Sequence, residues 1–405
     1  MLEIELSSIP DAEEDTRTLT ALLEDFRVKT GTKVHLRKMN WGSAWTDLMT
    51  FASHGKGSDV SHIGGTWVSS LAMMNALRPF KPAEVEAMGG SRAFMAPTWE
   101  STRQFNDSQV WAMPWTGYIY TICYRKDLLA KAGVPEFASM DDLGVIRKAL
   151  QKLQETSVAE IPWLNPNIPA PYTDLLHIAA SWVWSVGGDF ISPLGDQVVF
   201  DSLLALKGLR YWLETYRAVP EAYKQLGWAE CMALFRDGRA AAVLTDIRTA
   251  NRFLSQDTDP LIRDNLGMIP IANVPWTGGG NFVVWRHVMG YPERERAAIE
   301  LVKFLTNREN GLRWARDVGS MPARKDVLQE VYPPENPLHR AVMQSAEHGR
   351  AYHTVPLWRR IEYQIAQELG VVLQEANAKP NESSESLLRA HMEPLARRLN
   401  LTLGN

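Results

Sequence analysis

The feature that most constrains the fold is a regular alternation of strand-like and helix-like patterns. Ile4 and Leu6 alternate with polar neighbours, which predicts a strand. Apolar residues then recur at helical spacing over residues 19–26, and Gly31 is placed to end that helix. Residues 33–38 alternate again. Strands that alternate with helices favour an α/β fold with a largely parallel sheet covered by helices on both faces.

The same alternation restarts after Pro114. Residues 118–124 are typical of a strand, and residues 125–131 are typical of a helix. The chain has 405 residues, whereas a single hydrophobic core stops growing near roughly 250 to 300 residues, so two lobes are expected. Farther along, residues 293–314 predict one long helix, and two more helices are expected after the proline-rich break at 333–337.

The charge balance and the cysteine count exclude several classes of protein. Lys and Arg total 43 against 47 Asp and Glu, a net charge of -4 that lacks the basic footprint needed to bind a phosphate backbone. No nucleic acid partner is therefore expected. Cys123 and Cys231 are too few for a disulfide framework, and they could either pair or stay free.

Two observations bear on location. The sequence contains no run of about 18 apolar residues, which is the length that a membrane-spanning helix needs. Its first residues also lack the charged and apolar regions of a secretory signal. The chain is therefore expected to be either cytoplasmic or a mature form from which an export signal has been removed.

Common catalytic motifs are missing from the sequence. It contains no GxxxxGK[ST] phosphate loop, no GxSxG nucleophile turn and no HExxH zinc helix, and its nine histidines lack metal-ligand spacing. No enzymatic activity, cofactor or metal is therefore expected. The run Gly278, Gly279 and Gly280 precedes a strand-like segment, which favours a tight backbone approach to a neutral ligand, or a hinge, over a phosphate site.

Tryptophan is unusually frequent. The 15 tryptophans outnumber the 12 phenylalanines and the 11 tyrosines, although tryptophan is the hardest ring to bury completely. Some of these indoles are expected to face a ligand cleft, whereas Trp182 and Trp184 in an apolar helical segment are expected to be core residues.

Several segments in order along the chain carry a family resemblance. They cover residues 22–34, 58–67, 112–135, 235–241, 298–305 and 319–324. The most specific is Ala112-Met113-Pro114-Trp115, followed by the segments 123–129 and 132–135. Together they resemble extracellular solute-binding protein family 1, the sugar-capturing component of bacterial ABC importers.

The resemblance implies a two-lobed periplasmic-binding-protein fold of type II, with a mixed sheet flanked by helices in each lobe and a ligand cleft between the lobes. It assigns residues 1–112 and 282–312 to an N-terminal lobe, and residues 113–281 and 313–405 to a C-terminal lobe. The implied function is to close on a mono- or oligosaccharide and deliver it to a membrane permease. The protein would then be a monomer, either periplasmic or anchored at the cell surface as a lipoprotein.

The resemblance also implies, by position, a set of ligand-contacting residues. They are Asp11, Glu13, Asn40, Trp41, Thr66, Trp67, Trp115, Tyr118, Tyr172, Asp246, Arg248, Trp276, Gly278, Gly279, Arg324 and Trp358. Indole faces would stack on the C–H face of a sugar, and charged or amide groups would bind its hydroxyls. The main contacts are expected to be Trp67, Trp115 and Asp246.

Alternatives stay open for several of these residues and for the function. A core position is the favoured alternative for Trp41, Trp276 and Trp358, and an exposed surface position is the alternative for Arg324. A glycoside-processing enzyme would also combine aromatic rings with carboxylates, with two of the carboxylates about 5 to 10 Å apart. A binding protein for glycerol phosphate or a polyamine is a further alternative, because fold does not fix the ligand.

Overall fold

The chain divides into two compact units. The computed structural model describes residues 1–136, 143–168 and 173–403. Unit 1 comprises Met1–Tyr118, Thr277–Pro334 and Arg350–Arg359, and unit 2 comprises Ile119–Trp276, Glu335–Gly349 and Arg360–Asn405. Each unit is therefore built from three separate stretches of the chain, whereas the sequence predicts two stretches for each lobe.

The nine strands of the described residues have the following bounds: β1 (Glu3–Ser8), β2 (Lys33–Lys38), β3 (Val60–Gly64), β4 (Leu77–Arg78), β5 (Ala112–Arg125), β6 (Ala242–Asp246), β7 (Leu266–Pro270), β8 (Thr277–Trp285) and β9 (Met321–Pro322). In unit 1, β1 pairs in parallel with β2 and β3, whereas β8 pairs antiparallel with β3 and β4. In unit 2, the second half of β5 pairs antiparallel with β6 and β7. The pairing is therefore mixed, and the expectation of a largely parallel sheet holds only for β1 to β3.

The helices of the first half are α1 (Glu13–Thr30), α2 (Ala44–His54), α3 (Val68–Met73), α4 (Pro82–Ala87), α5 (Ala96–Glu100), α6 (Lys126–Lys131), α7 (Leu143–Thr156), α8 (Asp174–Ser185) and α9 (Leu203–Arg217). Those of the second half are α10 (Trp228–Arg236), α11 (Ile247–Phe253), α12 (Pro260–Asp264), α13 (Pro292–Leu305), α14 (Arg308–Val318), α15 (Lys325–Val331), α16 (Arg340–His348), α17 (Trp358–Ala378) and α18 (Ser384–Leu403). Among the described residues of the whole chain, no helix is both long and apolar enough to cross a membrane.

Two predictions about the C-terminal helices are wrong. The single helix expected over residues 293–314 is two helices, because Asn307 accepts a hydrogen bond from the Asn310 backbone N–H at 2.8 Å and so caps a new helix, α14. Three helices, α16 to α18, follow the proline-rich break instead of two.

The observed units and the predicted lobes also differ in where they place α14. The resemblance implies that residues 313–405 belong to the C-terminal lobe, whereas α14, which includes residues 313–318, packs against α1 and α15 in unit 1. An ion pair joins Arg313 of α14 to Asp25 of α1 at 2.6 Å. Burial of Trp314 and Val318 in the core of unit 1 fixes this packing.

The core of unit 1 follows from the sequence pattern of α1. Leu19, Leu22, Leu23 and Phe26 are all buried, as their helical spacing predicts. The helix ends at Gly31, whose φ of 75° lies in the left-handed region that favours glycine. This confirms the predicted helix and its end point.

An ion pair between buried Asp59 and half-buried Arg294 fixes the start of β3. Asp59 is fully buried, and both of its carboxylate oxygens accept hydrogen bonds from Arg294 at 2.7 Å. The same carboxylate accepts the backbone N–H of Glu5 in β1 at 2.7 Å. Bidentate, charge-assisted bonds of this kind are strong and directional, so they set the register of the strand that leads to Thr66 and Trp67.

Two tryptophans and both cysteines of the chain are buried in unit 2. Trp182 and Trp184 in α8 are 2% and 4% exposed, which confirms their predicted core positions. Cys123 in β5 and Cys231 in α10 are both free and buried, so the alternative in which they pair is wrong. Burial raises the pKa of the Cys231 thiol to about 12, which keeps it in the unreactive protonated form.

Candidate functional site

Trp41 is the exposed indole of unit 1. Its side chain is 41% exposed, so the core position favoured for it from the sequence is wrong. The indole N–H donates to the Asp11 carboxylate at 2.7 Å, and the ring packs edge-on against Trp67 with a centroid distance of 5.6 Å. A hydrogen bond at one end and a ring contact at the other hold the indole in one orientation while part of its surface meets solvent.

The loop before α1 supplies the carboxylate that holds Trp41. The backbone N–H of Asp11 donates to the Asp15 side chain at 2.8 Å, and Ala12 donates to the same oxygen at 3.3 Å. Asp15 is buried in the first turn of α1, whereas Asp11 and Glu13 are exposed. The turn therefore fixes the position of Asp11 and leaves its side chain at the surface.

Asn40 and Thr66 lie in the turns that precede two helices of unit 1. Asn40 is exposed, and its side-chain oxygen accepts the backbone N–H of Ser43 at 3.0 Å, which supports the start of α2. Thr66 is half-buried in the short helical turn Gly65–Trp67 that follows β3. Both polar side chains lie next in sequence to a tryptophan of the Trp41–Trp67 pair.

The structure places Trp67 and Trp115 in packing roles. Trp67 is 6% exposed, and the Arg359 guanidinium lies 5.7 Å from its ring centroid. Trp115 is 5% exposed and packs on Phe282 and Trp314 with centroid distances of 4.5 and 4.3 Å. Trp41 therefore exposes far more indole surface than either residue expected to be a main contact.

His62 contacts the rings of Trp41 and Trp115. From the sequence it was expected to be only an ordinary polar residue. It sits in β3, is 7% exposed, and packs edge-on against Trp115 at 4.8 Å and Trp41 at 6.4 Å. Its Nδ1 lies 3.4 Å from the hydroxyl of Ser8. Burial lowers the pKa of His62 to about 4, although the charge of Asp15 acts in the opposite direction.

A sequence signal for His62 did exist. His62 lies between the apolar, β-branched residues Val60 and Ile63 in a short strand-like segment, a pattern typical of a strand buried on both faces, and the structure buries Val60, Ser61 and Ile63.

The glycine run approaches the protein's own backbone. Gly279 has a φ of 154°, and a β-carbon added there would lie 1.9 Å from the Thr116 carbonyl oxygen. A β-carbon added to Gly280 would lie 2.0 Å from Nε2 of His62. Close packing of β8 on β5 and His62 therefore accounts for both glycines within unit 1. Gly278 and Tyr118 are half-buried in the same unit.

Arg324 and Trp358 are engaged in contacts within unit 1. Arg324 pairs with Asp326 at 3.0 Å, donates to the Met88 carbonyl at 3.2 Å and lies over the Phe94 ring. Trp358 is fully buried and packs on Tyr352 at 4.5 Å, in agreement with the core alternative. The exposed position considered for Arg324 does not fit its half-buried, paired side chain.

Unit 2 holds the remaining candidates. Asp246 is 7% exposed and caps α11 by accepting the backbone N–H and the hydroxyl of Thr249 at 2.9 and 2.7 Å. Arg248 is half-buried in the first turn of the same helix. Trp276 is buried and stacks on His177, with a centroid distance of 4.1 Å and an interplanar angle of 4°. Tyr172 lies outside the described residues.

The sequence analysis did not predict Asp174, a carboxyl group near Trp276, as a candidate site residue. Asp174 accepts a 2.5 Å hydrogen bond from the Tyr120 hydroxyl, and the ring centroids of Tyr120 and Trp276 lie 5.8 Å apart. Burial raises the pKa of Asp174, and the nearby charge of Asp246 acts in the same direction. Over the described ranges, no group of three or more His, Cys, Asp or Glu side chains could hold a metal ion.

Comparison with known proteins gives one family match. The family model for bacterial extracellular solute-binding proteins matches residues 21–341. Among curated proteins, no sequence matches the chain.

Solved structures give matches over the whole chain. The sugar-binding protein MalE from Xanthomonas citri has a TM-score of 0.79 at 17% identity, and each chain is covered over 100% of its length. A solute-binding protein of an ABC transporter from Thermotoga lettingae, bound to α-D-tagatose, has a TM-score of 0.78 at 17% identity with 100% of both chains covered. Maltose-bound MalE3 from T. maritima has a TM-score of 0.76 at 22% identity, over 99% of this chain and 100% of that one.

These matches confirm the predicted α/β fold of the two-lobed binding proteins. Both the matching family and the matching structures are binding proteins rather than enzymes.

Proposed function

Because this chain belongs to the family of bacterial extracellular solute-binding proteins, we propose that it is the substrate-binding protein of an ABC importer and that its solute is a carbohydrate. The observation that carries the choice of solute is the exposed indole of Trp41, held by Asp11 at 2.7 Å. The sugar ligands of the Thermotoga structures support the same choice.

The surface chemistry around Trp41 suits a sugar. One face of a pyranose is a patch of C–H groups, which packs well on an indole. The hydroxyl fringe needs donors and acceptors, and the exposed side chains of Asp11, Glu13 and Asn40 supply them in unit 1. A polar group left unpaired by the wrong sugar costs about 1 to 3 kcal/mol, so these groups would select the ligand.

The polar candidates of unit 2 are Asp246 and Arg248. Asp246 is already ordered by the Thr249 bonds, so it would meet a hydroxyl without losing further side-chain freedom. Trp67, Trp115 and Trp276 are proposed to support the site through packing, because each is at most 6% exposed.

We propose binding without turnover, export to the periplasm or the cell surface, and delivery to a membrane permease by a monomeric protein. The family supports a binding role and an extracellular location. Calorimetry over a panel of mono- and oligosaccharides is expected to give one site per chain, and chromatography is expected to recover the sugar unchanged. Hydrolysed product at enzyme-like rates would favour the glycosidase alternative, and binding only to glycerol phosphate or a polyamine would contradict the choice of carbohydrate.

Trp41→Ala is expected to weaken sugar binding by about 1 to 3 kcal/mol, the range for a large apolar contact surface. Calorimetry with the best sugar of the panel measures the loss. Tyr291→Ala is a matched control, because Tyr291 is another exposed ring of unit 1 at 62% exposure and is not among the ligand candidates. Equal affinities of Trp41→Ala and Tyr291→Ala, with folded protein in both cases, would contradict the role of Trp41.

A further inference from the structure

Unit 1 contains a cavity that includes none of the proposed ligand residues. Its volume is about 380 Å³. Two segments line it: residues 103–108, which lead into β5, with Glu100 at the end of α5, and residues 352–354, which precede α17. A volume of this size lies within the range of small-molecule sites, roughly 300 to 1,000 Å³.

One wall of the cavity is aromatic. The rings of Phe105 and His353 stack with a centroid distance of 5.0 Å and an interplanar angle of 26°. Phe105 is half-buried and His353 is exposed, so the pair presents ring surface to solvent. Tyr352, which is 4% exposed, is the third aromatic side chain of the lining.

The rest of the lining is polar and carries little net charge. Glu100 and Arg103 form an ion pair at 2.6 Å. The Asp107 carboxylate accepts the backbone N–H of Gln109 at 2.9 Å and the indole N–H of Trp111 at 3.4 Å. With two carboxylates against one guanidinium, the cavity disfavours anions and offers acceptors and donors to a neutral ligand.

The cavity wall is fixed by bonds to neighbouring segments. Gln104 donates to the Ser69 carbonyl at 3.0 Å, and the backbone N–H of Phe105 donates to the Thr354 carbonyl at 3.3 Å. Asn106 holds a φ of 59°, a left-handed conformation that asparagine adopts more readily than most residues in a tight turn. A ligand would therefore meet a preformed wall and lose little affinity to its ordering.

We propose that this cavity is a second binding site, for a single neutral monosaccharide that stacks on the Phe105–His353 pair. Stacking would place the C–H face of the sugar on the rings, and its hydroxyls would meet Glu100, Arg103 and Asp107. The proposal does not rest on the ligand proposed for the Trp41 region, because no residue is shared with it.

Trp111 offers a local reporter because its indole contacts Asp107. The full chain would be labelled with 5-fluorotryptophan, the Trp111 and Trp41 signals assigned by Trp111→Phe and Trp41→Phe, and D-glucose, D-galactose and D-xylose titrated in turn. At least one sugar is expected to shift the Trp111 signal with a Kd of about 1 to 10 mM, as befits one small ring. The shift is expected to persist in Trp41→Ala.

Phe105→Ala is expected to weaken the Trp111 response roughly tenfold, whereas Tyr291→Ala leaves it unchanged. His353→Ala and Glu100→Gln are second variants in case Phe105→Ala does not fold. A Trp111 signal that stays fixed with all three sugars would overturn the proposal. So would a shift that these variants leave intact, one that disappears in Trp41→Ala, or a response only to phosphate or spermidine.

Discussion

Gly279→Ala is expected to cost the folded protein about 2 to 6 kcal/mol, because the new methyl group adds steric overlap to backbone strain. The β-carbon would lie 1.9 Å from the Thr116 carbonyl oxygen and 2.9 Å from its carbon. Both obstacles are backbone atoms of β5, the neighbour of β8 in the sheet, so no side-chain rotation relieves the overlap. A φ of 154° is also a region that side-chain-bearing residues rarely adopt.

Urea unfolding followed by circular dichroism measures this loss. Gly290→Ala is a matched control, because nothing lies within 4 Å of its added β-carbon. Gly280→Ala gives a second comparison, because the nearest obstacle to its β-carbon is the His62 side chain. The double variant Gly280→Ala/His62→Ala is therefore expected to be more stable than Gly280→Ala alone. A Gly279→Ala protein within about 0.5 kcal/mol of the wild type would contradict the packing of β8 on β5.

The wild-type protein is expected to lose about 3 kcal/mol of stability between pH 7 and pH 4 through His62 alone. In the folded state burial lowers the pKa of His62 to about 4, whereas in the unfolded chain the pKa is about 6.5. Above pH 6.5 the ring is neutral in both states and the full stability is present. Below it the unfolded chain binds a proton that the folded protein excludes, so stability falls by about 1.4 kcal/mol per pH unit until the folded ring titrates.

Unfolding free energies at pH 7 and pH 4.5 for the wild type and His62→Gln isolate this contribution, because other groups titrate equally in both proteins. The wild type is expected to lose about 2 to 3 kcal/mol more than the variant over this interval. Parallel pH profiles for the wild type and His62→Gln would show that His62 is solvated in the folded protein.

Local periodicity predicted most of the secondary structure, because the residues that set it are close in sequence. The predicted strand over residues 33–38 coincides with β2, and the helix that ends before Gly31 coincides with the C-terminus of α1. The division between α13 and α14 was missed although its signal is local: Asn307 is a preferred capping residue directly before a helical run.

The candidate site was harder to predict, because exposure depends on contacts between distant parts of the chain. Trp41 and Trp67 both follow strands, and the Trp41 ring is held at the surface by the hydrogen bond that it donates to Asp11, 30 residues away, and by its contact with the Trp67 ring. The close approach of Gly279 to Thr116 joins residues 163 positions apart, which no local pattern encodes. The family resemblance predicted Trp41, Trp67 and Trp115 alike as ligand contacts, but packing decides which of these indoles is exposed to solvent.

The exposure of Trp41 has an optical consequence. In the described part of the chain it is the only tryptophan among the exposed large apolar side chains, although the protein has 15 indoles. An aqueous collisional quencher such as iodide is therefore expected to act more strongly on this residue than on the half-buried Trp45, Trp111 and Trp228. A solute that covers the ring would shield it, so loss of iodide quenching would report binding in the native protein without a label.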